Sequence, residues 1–302
     1  MSDSASRVPF GPVAGATVTA KDISRVAASY TDYLGYRITA EGTVSPALAD
    51  AWGTSAHAGT PFISMQPESG ARQWIRLIEA EPVPGYMPMT TFGWHSLEIV
   101  VDNVDAIPPR LEGSPWQIIG EPHNLSMSKT IRAMQVQGLA PEVLYLTQTN
   151  PHLGKEHLPA ARSFIDRIFI VVLGSPSLDD AMAFYTAHFD VEPGVTADAK
   201  ISVLNRAYGL DPDTTHRLAT VKMCGKCLIE IDDYPKEAKP RATAPDSLPP
   251  GVAMVAFAVD SLDDVTIPFL APPLTVAEGP YNGARVAVGK GVAGELIELV
   301  EG

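Results

Sequence analysis

Long apolar segments are missing from this sequence of 302 residues. No uninterrupted run approaches the roughly 20 apolar residues of a membrane helix, and the first residues contain no apolar signal core. Cysteine is scarce, because Cys224 and Cys227 are too few for a disulfide framework or a four-thiolate zinc site. Their C-x-x-C spacing between strand-like runs predicts a hairpin turn, with redox chemistry as the alternative. We expect a cytoplasmic protein that does not bind membranes.

Positive charge is also scarce, since 22 Lys and Arg face 35 Asp and Glu and leave a formal net charge of −13. A surface of this sign repels phosphate backbones and anionic lipids, so nucleic acid is not an expected partner. With 45% hydrophobic residues, the chain is instead long enough for about two globular domains. Composition and charge thus indicate a globular protein and disfavour nucleic acid and anionic lipid as partners.

The chain repeats itself at an offset of about 155 residues. Tyr30-Thr31 matches Tyr185-Thr186, and Ala51-Trp52-Gly53 matches Ala207-Tyr208-Gly209. A weaker repeat inside each half gives four modules, each predicted as one strand, one helix and three strands. The first and third modules carry an extra short helix that ends in the aromatic residue and glycine.

The repeat sets the expected domain boundaries. We predict an N-terminal domain at 1–150, made of modules 1 and 2, and a C-terminal domain at 161–302, made of modules 3 and 4. Residues 151–160 contain proline and glycine without strand alternation, so they are the predicted linker.

Three segments carry a resemblance to a known family: Trp-His-Ser-Leu-Glu-Ile-Val-Val-Asp at 94–102, Met-Ala-Phe-Tyr at 182–185 and Gly-Glu-Leu-Ile-Glu-Leu-Val-Glu at 294–301. They resemble the vicinal oxygen chelate superfamily, which includes glyoxalase I, bleomycin resistance proteins and extradiol dioxygenases. The resemblance covers nearly the whole chain. It implies an α+β fold in which four βαβββ modules pair into two cup-shaped mixed-sheet domains. Pairing within the chain, as the duplicated halves suggest, and exchange across a homodimer both stay open.

The resemblance also implies where a divalent metal would bind, usually on two His and a Glu from the first and fourth strands. The corresponding residues here are Gly15, His95, Arg167 and Met254 on first strands, and Arg76, Tyr145, Glu230 and Glu298 on fourth strands. Arginine keeps its proton and methionine is a soft ligand. The C-terminal set of Arg167, Glu230, Met254 and Glu298 therefore predicts a structural ion cluster. We expect no metal and no other cofactor, with Fe or Zn as the disfavoured alternative.

The N-terminal set suits acid–base chemistry instead. His95 is the candidate base, Tyr145 the hydrogen-bond donor to an oxyanion, and Arg76 the anchor of a carboxylate. A histidine that only hydrogen-bonds within a polar patch is the alternative. Alternation along its strand places Leu97, Ile99 and Val101 on the face of His95. It places Glu98 under the helix, where we expect a basic or hydroxyl partner within hydrogen-bond reach, or local exposure.

Candidate substrate contacts follow from the third strands. Arg132 and Arg285 open these strands in modules 2 and 4, where each offers a cation at a cup rim or pairs with a neighbouring carboxylate. His123 and Asn124 precede Arg132 and are further candidate contacts. An anionic substrate is the resulting expectation.

Three functions remain open from the sequence. The first is a metal-independent lyase or isomerase that moves a proton or cleaves a bond in a small carboxylate, aromatic or not. The second is a protein that binds and sequesters a small molecule, as bleomycin resistance proteins do. The third is a metal-dependent extradiol dioxygenase or glyoxalase-like lyase with displaced ligands.

Overall fold

A computed structural model describes residues 7–125, 128, 130–150 and 158–302. Module 1 comprises β1 (Val8–Ala20), α1 (Ile23–Ser29), β2 (Tyr36–Thr43), α2 (Pro46–Ala51), β3 (Pro61–Pro67) and β4 (Trp74–Glu79). Module 2 comprises β5 (Gly93–Val101), α3 (Ile107–Arg110), β6 (Gln117–Asn124), β7 (Arg132–Gln137) and β8 (Val143–Gln148). Most of the predicted linker, residues 151–157, lies outside the described residues.

The second half repeats this order. Module 3 comprises β9 (Ile165–Ser175), α4 (Leu178–His188), β10 (Phe189–Asp190), β11 (Glu192–Pro193), β12 (Ala197–Lys200), α5 (Ser202–Tyr208), β13 (Thr215–Met223) and β14 (Cys227–Asp233). Module 4 comprises β15 (Gly251–Val259), β16 (Leu274–Thr275), β17 (Arg285–Lys290) and β18 (Leu296–Glu301). The helix predicted for module 4 is absent, because residues 260–273 form turns. The C-x-x-C segment is a turn between β13 and β14, as predicted.

Local sequence signals account for the helix starts. The side chain of Asp22 accepts a hydrogen bond from the backbone of Arg25 before α1, and Ser177 does the same for Asp180 in α4. Ser45 caps α2, whose first residue is Pro46, a residue that suits the first helical turn. No helix among the described residues is both long and apolar enough to cross a membrane.

The strands form two mixed sheets. Sheet I has the order β16-β17-β18-β15-β1-β4-β3-β2 with β10 beside β1, and sheet II has the order β11-β13-β14-β9-β5-β8-β7-β6 with β12 beside β13. At the centre of each sheet, the first strands of two modules pair antiparallel, β1 with β15 and β5 with β9. Module 1 therefore pairs with module 4, and module 2 with module 3.

This pairing corrects the sequence-based assignment of modules 1 and 2 to one cup and of 3 and 4 to the other. The repeat identifies the modules, but it does not determine which of them exchange hydrogen bonds. The main core lies between the two sheets and draws apolar residues from all four modules. Two smaller clusters fill the opposite faces, which we call cup I on sheet I and cup II on sheet II.

Candidate functional site

Cup I brings together two residues that the sequence assigned to different cups. Arg76 on β4 and Glu298 on β18 are both buried, and the Arg76 guanidinium lies 3.1 Å from a Glu298 carboxylate oxygen. Arg76 also donates hydrogen bonds to the hydroxyls of Thr17 and Tyr281. A buried ion cluster was predicted, but with Arg167 as its cation. Arg76 provides the cation instead. Its strand β4 and the strand of Glu298, β18, lie in the same sheet with β1 and β15 between them.

Aromatic side chains close cup I. The Trp52 indole, which follows α2, lies 4.5 Å from the Arg76 guanidinium carbon and donates a 2.9 Å hydrogen bond to Glu298. Tyr281 lies on another side of the guanidinium and donates to the same carboxylate at 2.6 Å. Trp74 packs directly on Gly15, at a point where a Cβ atom would overlap the indole. The buried charges of cup I thus neutralise each other.

The electrostatics of Arg76 agree with a structural role. Burial opposes the charged guanidinium, but the Glu298 carboxylate and the Tyr281 hydroxyl outweigh it and keep the pKa of Arg76 above its usual range. The same contacts make Arg76 unavailable to anchor a substrate carboxylate, which corrects its predicted role.

The first-strand positions taken from the sequence were out of register. The residues paired with the four fourth-strand positions are Thr17 opposite Arg76, Glu98 opposite Tyr145, Val172 opposite Glu230 and Ala256 opposite Glu298. Met254 is buried in cup I and pairs with Leu296. Arg167 lies further along β9 and donates to the Gly225 carbonyl and the Cys227 sulfur, so it is not in either cup.

A bulge in β5 explains why the register predicted for the first strand of module 2 was wrong. The pairing of β5 with β9 shifts between Trp94 and Ser96, so His95 is an extra residue and the alternation reverses after it. Leu97, Ile99 and Val101 therefore face the main core. Glu98 faces cup II, where the hydroxyl of Thr147 is its neighbour. This hydroxyl lowers the pKa of Glu98, but burial and the charge of Glu230 raise it by more. The prediction that Glu98 lies under the helix is wrong.

Cup II collects acidic residues from two modules. Glu98 comes from β5, and Glu230 and Asp232 come from β14, two residues apart and hence on one face of that strand. Asp232 is completely buried, Glu98 is 8% exposed, and Glu230 is partly exposed to solvent. Tyr145 lies opposite Glu98 on β8. The acids thus extend from the floor of the cup to an open side at Glu230.

His95 lies on the floor of cup II. Its Nδ1 atom is 2.6 Å from the Tyr234 hydroxyl, and its Nε2 atom is 3.7 Å from an Asp232 oxygen, beyond hydrogen-bond distance. The Tyr234 ring packs directly on Gly174, where a side chain would overlap the ring. Burial, followed by the charge of Arg241, lowers the pKa of His95 to about 3. The imidazole is therefore neutral at physiological pH.

Several buried polar atoms in or beside cup II accept or donate no hydrogen bond within the described residues. They include both oxygens of Asp232, Nε2 of His95 and the hydroxyls of Ser96, Thr147 and Tyr208. In cup I the indole N–H of Trp74 and the hydroxyl of Ser64 also lack a described partner, but no ionisable group is among them, because Arg76 and Glu298 bond to each other and to Trp52 and Tyr281. Since unsatisfied buried polar groups cluster where a ligand completes the network, cup II is the candidate functional site.

The carboxyl groups of cup II have shifted pKa values. Burial raises the pKa of Glu98 to about 8, with a further increase from Glu230, and burial raises the pKa of Glu230 itself to about 7. Burial and the two glutamates raise the pKa of Asp232 well above its usual value. Burial and the neighbouring carboxylates also keep the Tyr145 hydroxyl protonated. The carboxyl groups of cup II therefore hold their protons to higher pH than carboxyl groups in water do.

Helix α5 covers cup II, as α2 covers cup I. Val203 and Leu204 of α5 pack into the cup II cluster, and Tyr208 ends the helix at its edge. Asn205 anchors the helix by bonding to His216 at 2.6 Å and to the Thr214 carbonyl at 2.9 Å. The aromatic residues of the two insertions, Trp52 and Tyr208, therefore pack in or against the clusters of the two cups.

The predicted rim residues lie outside the cups and are paired. Arg132 bonds to Asp105 at 2.7 Å and to Asn124, and Arg285 bonds to Asp263 at 2.8 Å and to Glu301. His123 is exposed on the edge strand β6 and bonds to a backbone carbonyl two residues away. The rim therefore offers no free arginine at these two positions for an anionic substrate.

The set of His and Glu ligands that the resemblance implies is not assembled. In the part of the chain that the structure describes, no three His, Cys, Asp or Glu side chains converge closely enough to hold a metal ion. His95 and three carboxyl groups share cup II, but the hydrogen bond to Tyr234 occupies one imidazole nitrogen. The arrangement does not fit the metal centre of the superfamily.

Sequence reasoning identified Glu98 as unusual but missed Asp232 and Tyr234. The signal that could have found them is the segment Glu-Ile-Asp-Asp-Tyr at 230–234. Asp232 and Tyr234 follow Glu230 there at alternate positions, which face the same side of a strand. Their neighbour His95 comes from another module. They come together only because β9 pairs with β5 on one side and with β14 on the other.

Known structures share this arrangement of two sheets. Glyoxalase I from Zea mays superposes with a TM-score of 0.62 at 15% identity, covering 96% of this chain and 92% of that chain. A candidate dioxygenase from Bacillus subtilis strain 168 gives a TM-score of 0.62 at 12% identity, covering 97% and 86%. The chain has the glyoxalase/dioxygenase-like fold. No protein-family model and no curated protein sequence matches it.

The expected four modules and two cups of this fold are confirmed, with the exchanged pairing described above. At 12 to 15% identity the likeness concerns the fold alone. The function therefore has to be argued from the side chains of cup II.

Proposed function

We propose that cup II is an acid–base site that transfers a proton on a small organic molecule. The observation that supports this most directly is the pair Glu98 and Glu230, two carboxyl groups in one cup with pKa values of about 8 and about 7. Groups of this kind populate both protonation states at neutral pH. One can accept a proton from a substrate while the other donates one.

The neighbouring side chains fit this role. Tyr145, opposite Glu98, keeps its hydroxyl proton and can donate a hydrogen bond to an oxyanion, as proposed from the sequence. His95, with a pKa of about 3, is too weak a base at neutral pH, so its proposed role as base passes to the glutamates. Through its bond to Tyr234, His95 acts as a positioning residue on the floor of the cup.

A hydrogen-exchange experiment tests this proposal without knowledge of the natural substrate. Hydroxyacetone, aminoacetone and pyruvate are neutral, cationic and anionic carbon acids of similar size. Each is incubated with the protein in D2O with EDTA, and loss of the C–H signal next to the carbonyl is followed by proton NMR. We expect protein-dependent exchange with at least one of the three. Glu230→Gln should slow it by about 100-fold or more, the usual contribution of a positioned acid or base.

The matched control is Glu295→Gln. Glu295 is also a buried carboxyl group with a pKa of about 7, but it bonds to Tyr185 outside cup II. This variant should keep the rate of the unaltered protein. Equal exchange rates in the unaltered protein and in Glu230→Gln would exclude Glu230 as the proton-transfer group.

Binding without chemistry is the second candidate function. It is favoured by helix α5, whose Val203 and Leu204 cover the cup with apolar surface that can enclose a ligand. A ligand that raises the melting temperature without exchange or product formation would support this function over the first.

A further inference from the structure

We infer that the ligand of cup II carries an organic ammonium group. This inference rests on the proposed use of cup II as the functional site and names its ligand class. It starts from the charges. Glu98, Glu230 and Asp232 share the cup, and among the described residues none of the three forms an ion pair with Lys or Arg.

Two arginines lie near enough to influence the cup, but neither is directed at its acids. Arg241 donates to three backbone carbonyls and a threonine hydroxyl: those of Trp94, Pro250, Val252 and Thr91. Arg206, on α5, donates to the backbone carbonyl of Ile119. His95 is neutral. The positive charge that would balance the carboxyl groups is therefore not supplied by these side chains.

Asp232 is the second observation. Its side chain is completely buried, and neither carboxyl oxygen accepts a hydrogen bond from any described residue. The Nε2 atom of His95, 3.7 Å away, and the hydroxyl of Tyr208 are also buried without a described partner. Burial without donors disfavours the ionised form of Asp232, so its pKa is raised, whereas a bound N–H donor with a positive charge would satisfy the carboxylate.

Cup I shows how this fold holds a cation. There Arg76 lies against Glu298, with its guanidinium carbon 4.5 Å from the Trp52 ring and 5.3 Å from the Tyr281 ring. In cup II the repeat places Tyr208 at the position of Trp52, Glu230 at that of Arg76 and Tyr145 at that of Glu298. The position of the cup I cation is thus occupied in cup II by a carboxyl group beside tyrosine rings. A ligand ammonium next to Glu230 would supply the charge that Arg76 supplies in cup I.

The lining suits an organic cation. The rings of Tyr145, Tyr208 and Tyr234 belong to or pack on the cup II cluster, and aromatic faces attract ammonium groups. A neighbouring cavity of about 410 Å³ is lined by Tyr208 together with Tyr86, Met87, Glu237 and Lys239. Tyr208 thus borders both the cup and this space, whereas the carboxyl groups of the cup do not line the cavity.

Proton linkage follows from this assignment. A bound ammonium favours the ionised forms of Glu98, Glu230 and Asp232, which share the cup with the neutral His95, with Tyr145 and Tyr234, and with the fields of Arg206 and Arg241. Since the pKa values of Glu98 and Glu230 are about 8 and about 7, binding near pH 7 should release protons. The affinity should rise between pH 6 and pH 8.

Calorimetry tests the inference on the full chain with EDTA present. The probes are benzylammonium and tetramethylammonium chloride, with benzyl alcohol and sodium benzoate as the neutral and anionic isosteres. We expect at least one ammonium to bind at least tenfold more tightly than both isosteres. The heat should depend on the buffer's ionisation enthalpy, which reports proton release.

Asp232→Asn should weaken ammonium binding at least tenfold. The matched control is Asp233→Asn, because Asp233 is the next residue and bonds instead to the start of α4 and Arg217. Glu230→Gln is the second test variant if Asp232→Asn does not fold. Tighter binding of benzoate than of either ammonium, no ammonium binding at 10 mM, binding only with added divalent metal, or equal affinities in the folded variants would overturn the inference.

The two proposals can fail separately. Exchange of hydroxyacetone protons without ammonium binding would leave the acid–base proposal standing and refute the ligand class. Ammonium binding that depends on Asp232, without exchange of any carbon acid, would support the ligand class and refute proton transfer.

Discussion

Arg76 and Glu298 illustrate how single residues are held in cup I. Both side chains are buried, and each also bonds to the hydroxyl of Tyr281. An ion pair of this kind does not by itself stabilise a fold strongly, because desolvation offsets much of the attraction. Removing one partner is different, since the remaining charge stays buried without compensation.

Glu298→Ala should therefore lower the free energy of unfolding by about 3 to 5 kcal/mol. The Arg76 guanidinium would lose its carboxylate and retain only hydroxyl partners. Urea unfolding at pH 6.5 followed by circular dichroism measures the change. Asp105→Asn removes the exposed partner of Arg132 and should have no measurable effect. A loss in Glu298→Ala no larger than that of the control would contradict the structural role of this pair.

At the scale of single elements, β5 shows how one residue redirects a strand. Its bulge between Trp94 and Ser96 turns Glu98 toward cup II and Leu97 toward the main core. Strict alternation places them the other way round, because a shift of one residue exchanges the two faces of a strand. The apolar pattern of β5 does not reveal this, since all nine of its residues are buried.

Helix α5 is the element that covers the candidate site. Asn205→Ala would remove its bonds to His216 and Thr214, each worth about 1 kcal/mol in typical proteins. We expect amide hydrogen exchange in Ser202–Tyr208 to accelerate by about tenfold, measured by mass spectrometry. Peptides of β1 and β15 should not change. Asn124→Ala, at an exposed site on β6, is the control, and equal protection of α5 in both variants would show that Asn205 does not anchor the helix.

At the scale of the whole molecule, the two halves of the chain are interlocked. Sheet I joins module 1 to module 4, and sheet II joins module 2 to module 3, so each half contributes to both sheets. The antiparallel pairs of β1 with β15 and of β5 with β9 cross between the halves. Neither half completes a cup.

Fragments 1–150 and 161–302 should therefore not form the native sheets separately. Mixed or coexpressed, they should form a one-to-one complex whose far-UV circular dichroism matches that of the intact chain. Size-exclusion chromatography with light scattering measures the stoichiometry. Two separately folded monomeric fragments that do not associate would contradict the pairing in this structure.

Stability should depend on pH through the buried carboxyl groups. The pKa values are about 8 for Glu98 and about 7 for Glu142, Glu230 and Glu295, whereas unfolded glutamates titrate near 4.3. Between these values the folded state holds protons that the unfolded state has released, so stability falls as pH rises. The lowered pKa of His95 acts in the opposite direction, but only below about pH 6.5.

The free energy of unfolding should therefore decrease from pH 6.5 to pH 8, measured by urea titration at four pH values. Glu98→Gln should be more stable than the unaltered chain at pH 8 and should show a weaker pH dependence. The glutamine amide does not titrate, so the folded variant no longer holds a proton at this position that the unfolded chain has released. Glu192→Gln, at an exposed position, should follow the unaltered chain. A stability that rises with pH across this range would contradict the raised pKa values.

The sequence by itself determined the modules, their order and the side chains on the fourth strands, because repeats and alternating apolar residues are local properties. Arg76, Tyr145, Glu230 and Glu298 were all placed in cups from this pattern. The tertiary structure alone decided which cups they share, since the local periodicity of a strand does not determine which distant strand it pairs with. It also decided that a bulge turns Glu98 toward Asp232. The same contacts leave cup I neutralised by Arg76, and cup II acidic with buried polar groups that have no described partner.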